Sequence, residues 1–189
     1  MAFSINDLNY EKDSKERMPW EHYTEEFAKA DPAEIAGRLS LPYDEEKKEL
    51  TLKFLGSVYY ISWPDFQVTH EEDDAGFYPL EEMHYAKILA IRFLLNGNVS
   101  QGSGRFKTYR EMPWGEVYLR QFDGRCIKRL AFTYGNRLKD FKEIMEHIHA
   151  VPVDYGDIAY QVEIFPGYVV QMILWEGDDE FPPSSQILF

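Results

Sequence analysis

Apolar and polar residues alternate in two parts of the chain, and a period of two predicts β-strands. The first part runs from Glu49 to Trp63 and reverses at Leu55-Gly56-Ser57, which predicts a β-hairpin. The second joins Ile158–Phe165 to Tyr168–Trp175 through a Pro-Gly turn, and a short strand at Gln186–Phe189 follows. Two sets of antiparallel strands are therefore expected.

Elsewhere, apolar residues recur at intervals of three and four, which predicts helices. The predicted helices cover residues 21–30, 32–39, 80–95, 117–122, 125–134 and 138–149, while residues 105–110 alternate like a strand. Helix 80–95 is apolar over most of its circumference, as is typical of a central buried helix.

The order of these elements predicts the fold class. Strands and helices come in blocks instead of alternating strictly, which favours α+β. We expect a single domain, residues 19–189, with an antiparallel sheet built from hairpins, a central buried helix and further helices packed on it. The polar residues 1–18 are predicted to be disordered.

Charge and composition restrict the classes of function. The 189 residues carry a formal net charge of -13, which disfavours binding to nucleic acid and favours cationic partners or metal ions. The single cysteine, Cys126, can form neither an internal disulfide nor an iron–sulfur cluster by itself. The first residues lack the pattern of a signal peptide, and no apolar run is long enough to span a bilayer. A cytoplasmic protein that binds neither membranes nor nucleic acid is expected.

Four carboxylates follow the predicted strand that ends at Trp175. Glu176, Asp178, Asp179 and Glu180 lie within five residues. Hard divalent cations prefer oxygen ligands, and a turn can bring several of them together. The four residues are therefore candidate ligands of a divalent metal. Their spacing differs from that of a calcium-binding loop, so a solvated acidic turn is the alternative.

A second candidate lies in a basic stretch of this acidic chain. Arg105, Lys107 and Arg110 belong to the predicted strand 105–110, and an anion would be attracted there. A structural ion pair next to a tight turn is the alternative. Together with the aromatic residue before the acidic turn, the candidate ligand-binding residues are Arg110, Glu111, Trp114 and Trp175.

The other polar residues of chemical interest are better explained without a function. The run His70–Asp74 is typical of a solvated loop. Cys126 lies among basic residues, but the local sequence supplies neither a base nor an oxyanion pocket, so a small buried side chain is the expectation.

Several segments together resemble an uncharacterised prokaryotic family of domains of unknown function, DUF family 3786. They are Phe106–Gly115, Phe122–Arg125, Arg129–Phe132, Tyr134-Gly135 and Leu174–Ser185. The resemblance covers roughly residues 45 to 189. It implies a context in anaerobic redox or corrinoid metabolism, because some members resemble fusions to a four-cysteine iron–sulfur domain. This chain lacks those cysteines, so no iron–sulfur cluster is expected in it.

Two hypotheses of function follow, together with a structural or oligomer-forming role as a third. The first is a binding or accessory module that recognises a small ligand or a partner protein through Arg110, Glu111, Trp114 and the acidic turn. The second is a metal-dependent enzyme in which Asp178 and Asp179 hold a divalent ion and Glu111 or Glu180 acts as general base.

Overall fold

The structure, a computed structural model, describes residues 17–73, 75–99 and 102–189. The predicted disordered segment 1–18 lies almost entirely outside the described residues, as does Asp74 of the acidic loop. The α+β class is confirmed, with helices and two four-stranded antiparallel sheets. The chain divides into two compact units: the first contains residues 17–53, 57–73 and 77–99, and the second contains 54–56, 75–76 and 102–189. The single predicted domain, 19–189, stays a prediction.

Four helices and one sheet lie in the part of residues 17–99 that the structure describes. The helices are α1 (Met18–Lys29), α2 (Pro32–Leu39), α3 (Pro79–Glu82) and α4 (His84–Asn96). The sheet has the order β1-β2-β3-β4, with β1 at Tyr43–Asp44, β2 at Glu49–Phe54, β3 at Ser57–Ser62 and β4 at Val68–His70. The predicted hairpin 49–63 is β2 and β3. The predicted helix 80–95 is interrupted, because Met83 has an extended backbone with φ -113° and ψ 116°.

The second unit is built on a sheet of the order β5-β6-β7-β8. Its strands are β5 (Val151–Pro152), β6 (Ile158–Phe165), β7 (Tyr168–Trp175) and β8 (Ser184–Leu188), and its helices are α5 (Gly115–Phe122), α6 (Lys128–Tyr134) and α7 (Leu138–His147). Burying apolar side chains on one face of the sheet against α7 removes them from water. The buried residues of this core are Phe141, Met145, Tyr160, Val162, Val170 and Leu174.

Three local predictions differ from the structure. The stretch 105–110 is not a strand: Thr108 makes an isolated bridge to Leu188, and Tyr109–Glu111 form a 3-10 turn. The helices predicted at 117–122 and 125–134 are α5 and α6, and a π-helical turn at Asp123–Ile127 joins them. The last strand begins at Ser184, before the predicted start. Strands β1 and β5 are two residues long, too short for any period to reveal.

Candidate functional site

Residues 108–111 form a turn that is closed by its own side chains. The backbone N–H and the hydroxyl of Thr108 donate to Glu111 Oε2 at 2.8 Å and 2.7 Å. The Glu111 backbone N–H in turn donates to the Thr108 side chain, and this reciprocal arrangement is a capping box. The bonds from Thr108 favour the ionised form of Glu111 and hold the pKa of its carboxyl below the usual value. Glu111, a predicted ligand-binding residue, is therefore used to fix the turn.

The next turn depends on Gly115. A Cβ atom built there would collide with the Tyr109 carbonyl, so the backbone of α5 can begin this close to the 3-10 turn only at a glycine. The preceding residue, Trp114, takes left-handed backbone with φ 63° and caps the helix. Its side chain is 86% exposed. The segment thus holds Arg110 beside α5 and leaves the predicted Trp114 in solvent.

Three aromatic rings attach this turn to α5 and to the end of the chain. The Tyr109 ring stacks on Phe122 with centroids 4.1 Å apart and planes 10° from parallel. Phe189 approaches both rings, at 5.9 Å and 5.8 Å. Backbone bonds of 2.7 Å and 2.8 Å between Lys107 and Phe189 continue the pairing. The turn, α5 and β8 are thereby fixed around one space.

That space is a cleft with a polar wall and an apolar floor, which we call the α5 cleft. Its wider part, about 660 Å³, is lined by Thr108, Arg110, Glu116, Leu119, Arg120 and Asp123. An adjoining depression of about 160 Å³ shares four of these residues and reaches Phe122, Ile127, Ser185, Gln186 and Ile187. The hydroxyl of Ser185 donates to the Ile127 carbonyl at 2.7 Å and holds β8 against the π-helical turn. A charged wall above apolar residues is the usual form of a small-ligand site.

The charged side chains on the wall differ in whether they form an ion pair. Arg110 Nε lies 3.4 Å from Glu116 Oε1, and Lys128 Nζ lies 3.2 Å from Asp123 Oδ2. Arg120 makes no side-chain hydrogen bond or ion pair within the described ranges 17–73, 75–99 and 102–189. The α5 cleft therefore presents one guanidinium that folding has not used.

The acidic turn has a structural role. Asp178 Oδ1 accepts from the backbone N–H groups of Phe181 at 2.6 Å and Glu180 at 2.8 Å. These bonds, first that from Phe181, lower the pKa of the Asp178 carboxyl. Among the described residues, no three His, Cys, Asp or Glu side chains come together as ligands of a metal ion. The predicted set Glu176, Asp178, Asp179 and Glu180 therefore gains no support from geometry and stays a prediction.

Neighbouring groups fix the backbone of the same turn. Glu176 N–H donates to Asp157 Oδ2 at 2.8 Å, and Gly177 N–H donates to Asn136 Oδ1 at 3.2 Å. Cβ atoms at Gly135 and Gly177 would both meet Pro183. This part of the sequence is thus explained by close packing. Trp175, at the end of β7, is 38% exposed and is not among the residues that line the α5 cleft.

Sequence reasoning found Arg110 and missed the residues across from it. Leu119 and Arg120 belong to α5, Asp123 to the π-helical turn and Ile187 to β8, and only the fold brings them together. A regional charge count could have drawn attention to the first three. Residues 105–142 contain ten Lys or Arg and four Asp or Glu, a net charge of about +6, in a chain of net charge -13.

A second cluster, in the first unit, was also missed. His70 Nδ1 lies 2.8 Å from Glu81 Oε1, and the His70 ring stacks on Tyr78 with centroids 3.5 Å apart. The Tyr78 hydroxyl donates to Asp73 Oδ1 at 2.8 Å. Tyr59 lies opposite His70 in the sheet, and burial raises the pKa of its phenol. We call these five residues the His70 cluster. No local motif links its members, so no sequence pattern predicts it.

The comparisons with known proteins identify the family. The sequence pattern of a domain of unknown function (DUF3786) matches residues 31–189, which is most of the chain. The protein belongs to this family, so the predicted resemblance is confirmed. Neither the curated proteins nor the solved structures contain a match to the chain. No helix in the described part of the chain is long and apolar enough to cross a membrane.

Three of the five segments that carried the resemblance meet in the α5 cleft. Thr108–Arg110 come from the first segment, Phe122 and Asp123 from the second, and Ser185 from the last. The acidic turn between β7 and β8 packs outside the cleft lining.

Proposed function

We propose that this protein is a binding module whose α5 cleft takes a small ligand with one anionic group, a carboxylate or a phosphate ester. The observation that carries the proposal is Arg120, a guanidinium without a described partner on the wall of a cleft with an apolar floor. Arginine binds carboxylate and phosphate through two parallel hydrogen bonds, which fits such a group.

Arg110 supports the same ligand class. Its contact with Glu116 is a single exposed ion pair at 3.4 Å, and such pairs stabilise a fold by about 0–1 kcal/mol. Arg110 can therefore turn to an anion at little cost. Leu119 and Ile187 lie where an apolar part of the ligand would be covered.

The proposal assigns no role as a nucleophile to the thiol of Cys126. Cys126 is the single cysteine, and burial raises the pKa of its thiol although Arg125 acts in the opposite direction. A thiol of this kind is a poor nucleophile at neutral pH. A role in anaerobic redox or corrinoid metabolism is part of the proposal only as the context that the family resemblance implies.

The test is a titration of isotope-labelled protein with phenyl phosphate and, separately, with benzoate, followed by NMR. We expect the amide signals of Leu119 and Ile187 to move with a saturable curve. Arg120→Gln should weaken binding at least about tenfold, which corresponds to about 1.4 kcal/mol. Arg129→Gln removes an exposed arginine of α6 that does not line the cleft, so it serves as the matched control.

Two results would contradict the proposal. One is the absence of any saturable shift with both probes. The other is an equal loss of affinity in Arg120→Gln and Arg129→Gln, which would show attraction to the basic region in general. Turnover of phenyl phosphate that Arg120→Gln abolishes would replace a binding module by an enzyme.

A further inference from the structure

A second feature of α5 lies on the side of the helix away from the cleft. Trp114 occupies the N-cap position directly before α5, and Val117 and Tyr118 follow in the first turn of the helix. They are 86%, 74% and 41% exposed. We call these three residues the Trp114 face. The cleft residues Glu116, Leu119 and Arg120 are spaced three and four residues apart on another face of α5, and Asp123 directly follows the helix.

The backbone at Trp114 takes a conformation that is unfavourable for a residue with a large side chain. Left-handed φ is disfavoured for any residue with a Cβ atom, and Trp114 adopts it at 63°. Glycine would take the same conformation without strain. A large apolar side chain that is both strained and left in water is not explained by the stability of the described fold. Among the described non-glycine residues with positive φ, Trp114 is the one with a large apolar side chain that is mostly exposed.

Positive charge adjoins this apolar face. The Arg125 guanidinium donates to the Tyr118 hydroxyl at 2.5 Å and lies 5.9 Å from the ring centroid. Arg125 belongs to residues 105–142, which carry the local net charge of about +6. Exposed aromatic residues next to arginine are the composition of binding hot spots.

We infer that the Trp114 face docks an acidic segment of a partner protein, with an apolar side chain of that segment packed on Trp114 and Val117. The complement of a basic, aromatic face is acidic and apolar. A short peptide is attracted mainly by charges within about one Debye length, about 10 Å, and Arg125 beside Tyr118 is such a charge. A membrane or a nucleic acid is extended and would also meet the negative charge of the whole chain, -13. This inference does not depend on the proposed ligand of the α5 cleft.

The test uses a synthetic peptide of Glu-Glu-Leu-Glu repeats, long enough for about four helical turns. Two matched peptides replace either leucine by serine or glutamate by lysine. Binding is followed by fluorine NMR of protein labelled with fluorotryptophan, in which Trp114→Phe identifies the signal of Trp114. We expect the Trp114 signal to shift with the Glu-Leu peptide alone, and the affinity to fall as salt is added.

Two variants examine the face itself. Trp114→Gly removes the side chain and relieves the left-handed strain, so the protein should remain folded and lose affinity at least about tenfold. Arg125→Gln should weaken binding and reduce its dependence on salt. Phe181→Ala is the matched control, because it removes an aromatic residue that is 68% exposed in the acidic turn.

Four outcomes would overturn the inference. They are the absence of binding by the Glu-Leu peptide, unchanged binding by Trp114→Gly, binding to vesicles of anionic phospholipid but not to the peptide, and a dimer of this chain in sedimentation that Trp114→Gly dissociates. The last two would assign the face to a membrane or to a second copy. Phenyl phosphate binding is followed through the amide signals of Leu119 and Ile187. Failure of the proposed ligand binding is therefore distinguishable from failure of the peptide docking.

Discussion

The His70 cluster and the α5 cleft both contain polar and charged side chains. These side chains are paired with one another in the His70 cluster, whereas one charged side chain of the α5 cleft is unpaired. In the first unit, His70 pairs with Glu81, and Tyr78 stacks on His70 while bonding to Asp73. In the second unit, Arg120 stands on a cleft wall with no partner among the described residues. Polar groups that are hydrogen-bonded to one another stabilise a fold, whereas an unpaired charge is available to bind a ligand.

The two regions also differ in what builds them. The His70 cluster is held together by contacts between side chains. Its members come from β3, β4, α3 and the segment between β4 and α3. In the frame of the α5 cleft, main-chain groups take part at each point: the Thr108 N–H in the capping box, a glycine at 115 and paired main chains at Lys107 and Phe189. A frame of this kind can position a guanidinium without pairing it.

The largest effect is expected where that backbone frame is broken. Gly115→Ala would place a methyl group against the Tyr109 carbonyl, and the backbone must shift to accept it. We expect a loss of about 3 kcal/mol in the free energy of unfolding. Chemical denaturation followed by far-UV circular dichroism measures this.

Gly124→Ala is the control for that variant. No heavy atom lies near enough to obstruct a Cβ at Gly124, and alanine is the better helix former, so this change should be neutral or stabilising. Equal stability of the Gly115 and Gly124 variants would show that the close approach to Tyr109 does not determine the frame.

A smaller loss of stability is expected when a paired polar side chain is replaced, and almost none when an unpaired one is replaced. His70→Phe keeps a ring to stack on Tyr78 and removes the 2.8 Å contact with Glu81. Leaving a partly buried carboxylate without this partner should cost about 1–2 kcal/mol of unfolding free energy. Arg120→Gln should change it by less than about 0.5 kcal/mol, because no described contact is lost.

The outcome of this pair decides the comparison directly. A large loss of stability in Arg120→Gln would mean that the guanidinium supports the fold and is not held for a ligand. Denaturation curves for the wild type, His70→Phe and Arg120→Gln, measured in one buffer, give the three values.

The sequence predicted the periodic elements well and the sites less well, for a physical reason. Periods of two and of three to four report which face of an element is buried, so the hairpins β2–β3 and β6–β7 were predicted near their observed bounds. The α5 cleft joins Arg120 to Ile187, which are far apart in sequence, because Ser185 of β8 bonds to Ile127 and Phe189 pairs with Lys107. No local sequence pattern predicts that two such distant segments lie side by side.

Some of what was missed was nevertheless readable. Thr108 and Glu111 have the Thr-x-x-Glu spacing of a capping box, which indicates a turn rather than a strand. Asp178 begins Asp-Asp-Glu-Phe, and an aspartate commonly accepts from backbone N–H groups two and three residues later. These local patterns explain Glu111 and Asp178 through the backbone before any ligand is considered.

The smallest effect concerns these two carboxylates and the dependence of stability on pH. Folding lowers the pKa of Glu111 below its ordinary 4.5 and that of Asp178 below its ordinary 3.8. A lowered pKa contributes stability that is fully present above the ordinary value and is lost as the pH falls through the folded value. Stability should therefore decrease below about pH 4.5, and the decrease should be shallower in Glu111→Gln/Asp178→Asn.

Asp179→Asn is the control, because the Asp179 side chain makes no hydrogen bond within the part of the chain that the structure describes. Thermal unfolding of the three proteins between about pH 3 and pH 6 tests the sign. If the double variant and Asp179→Asn follow the same curve, the bonds to Thr108, Glu180 and Phe181 do not stabilise the folded state. The carboxylates of the acidic turn would then be unnecessary for folding, as Arg120 of the α5 cleft is expected to be. A metal ion would again be a reasonable ligand for them.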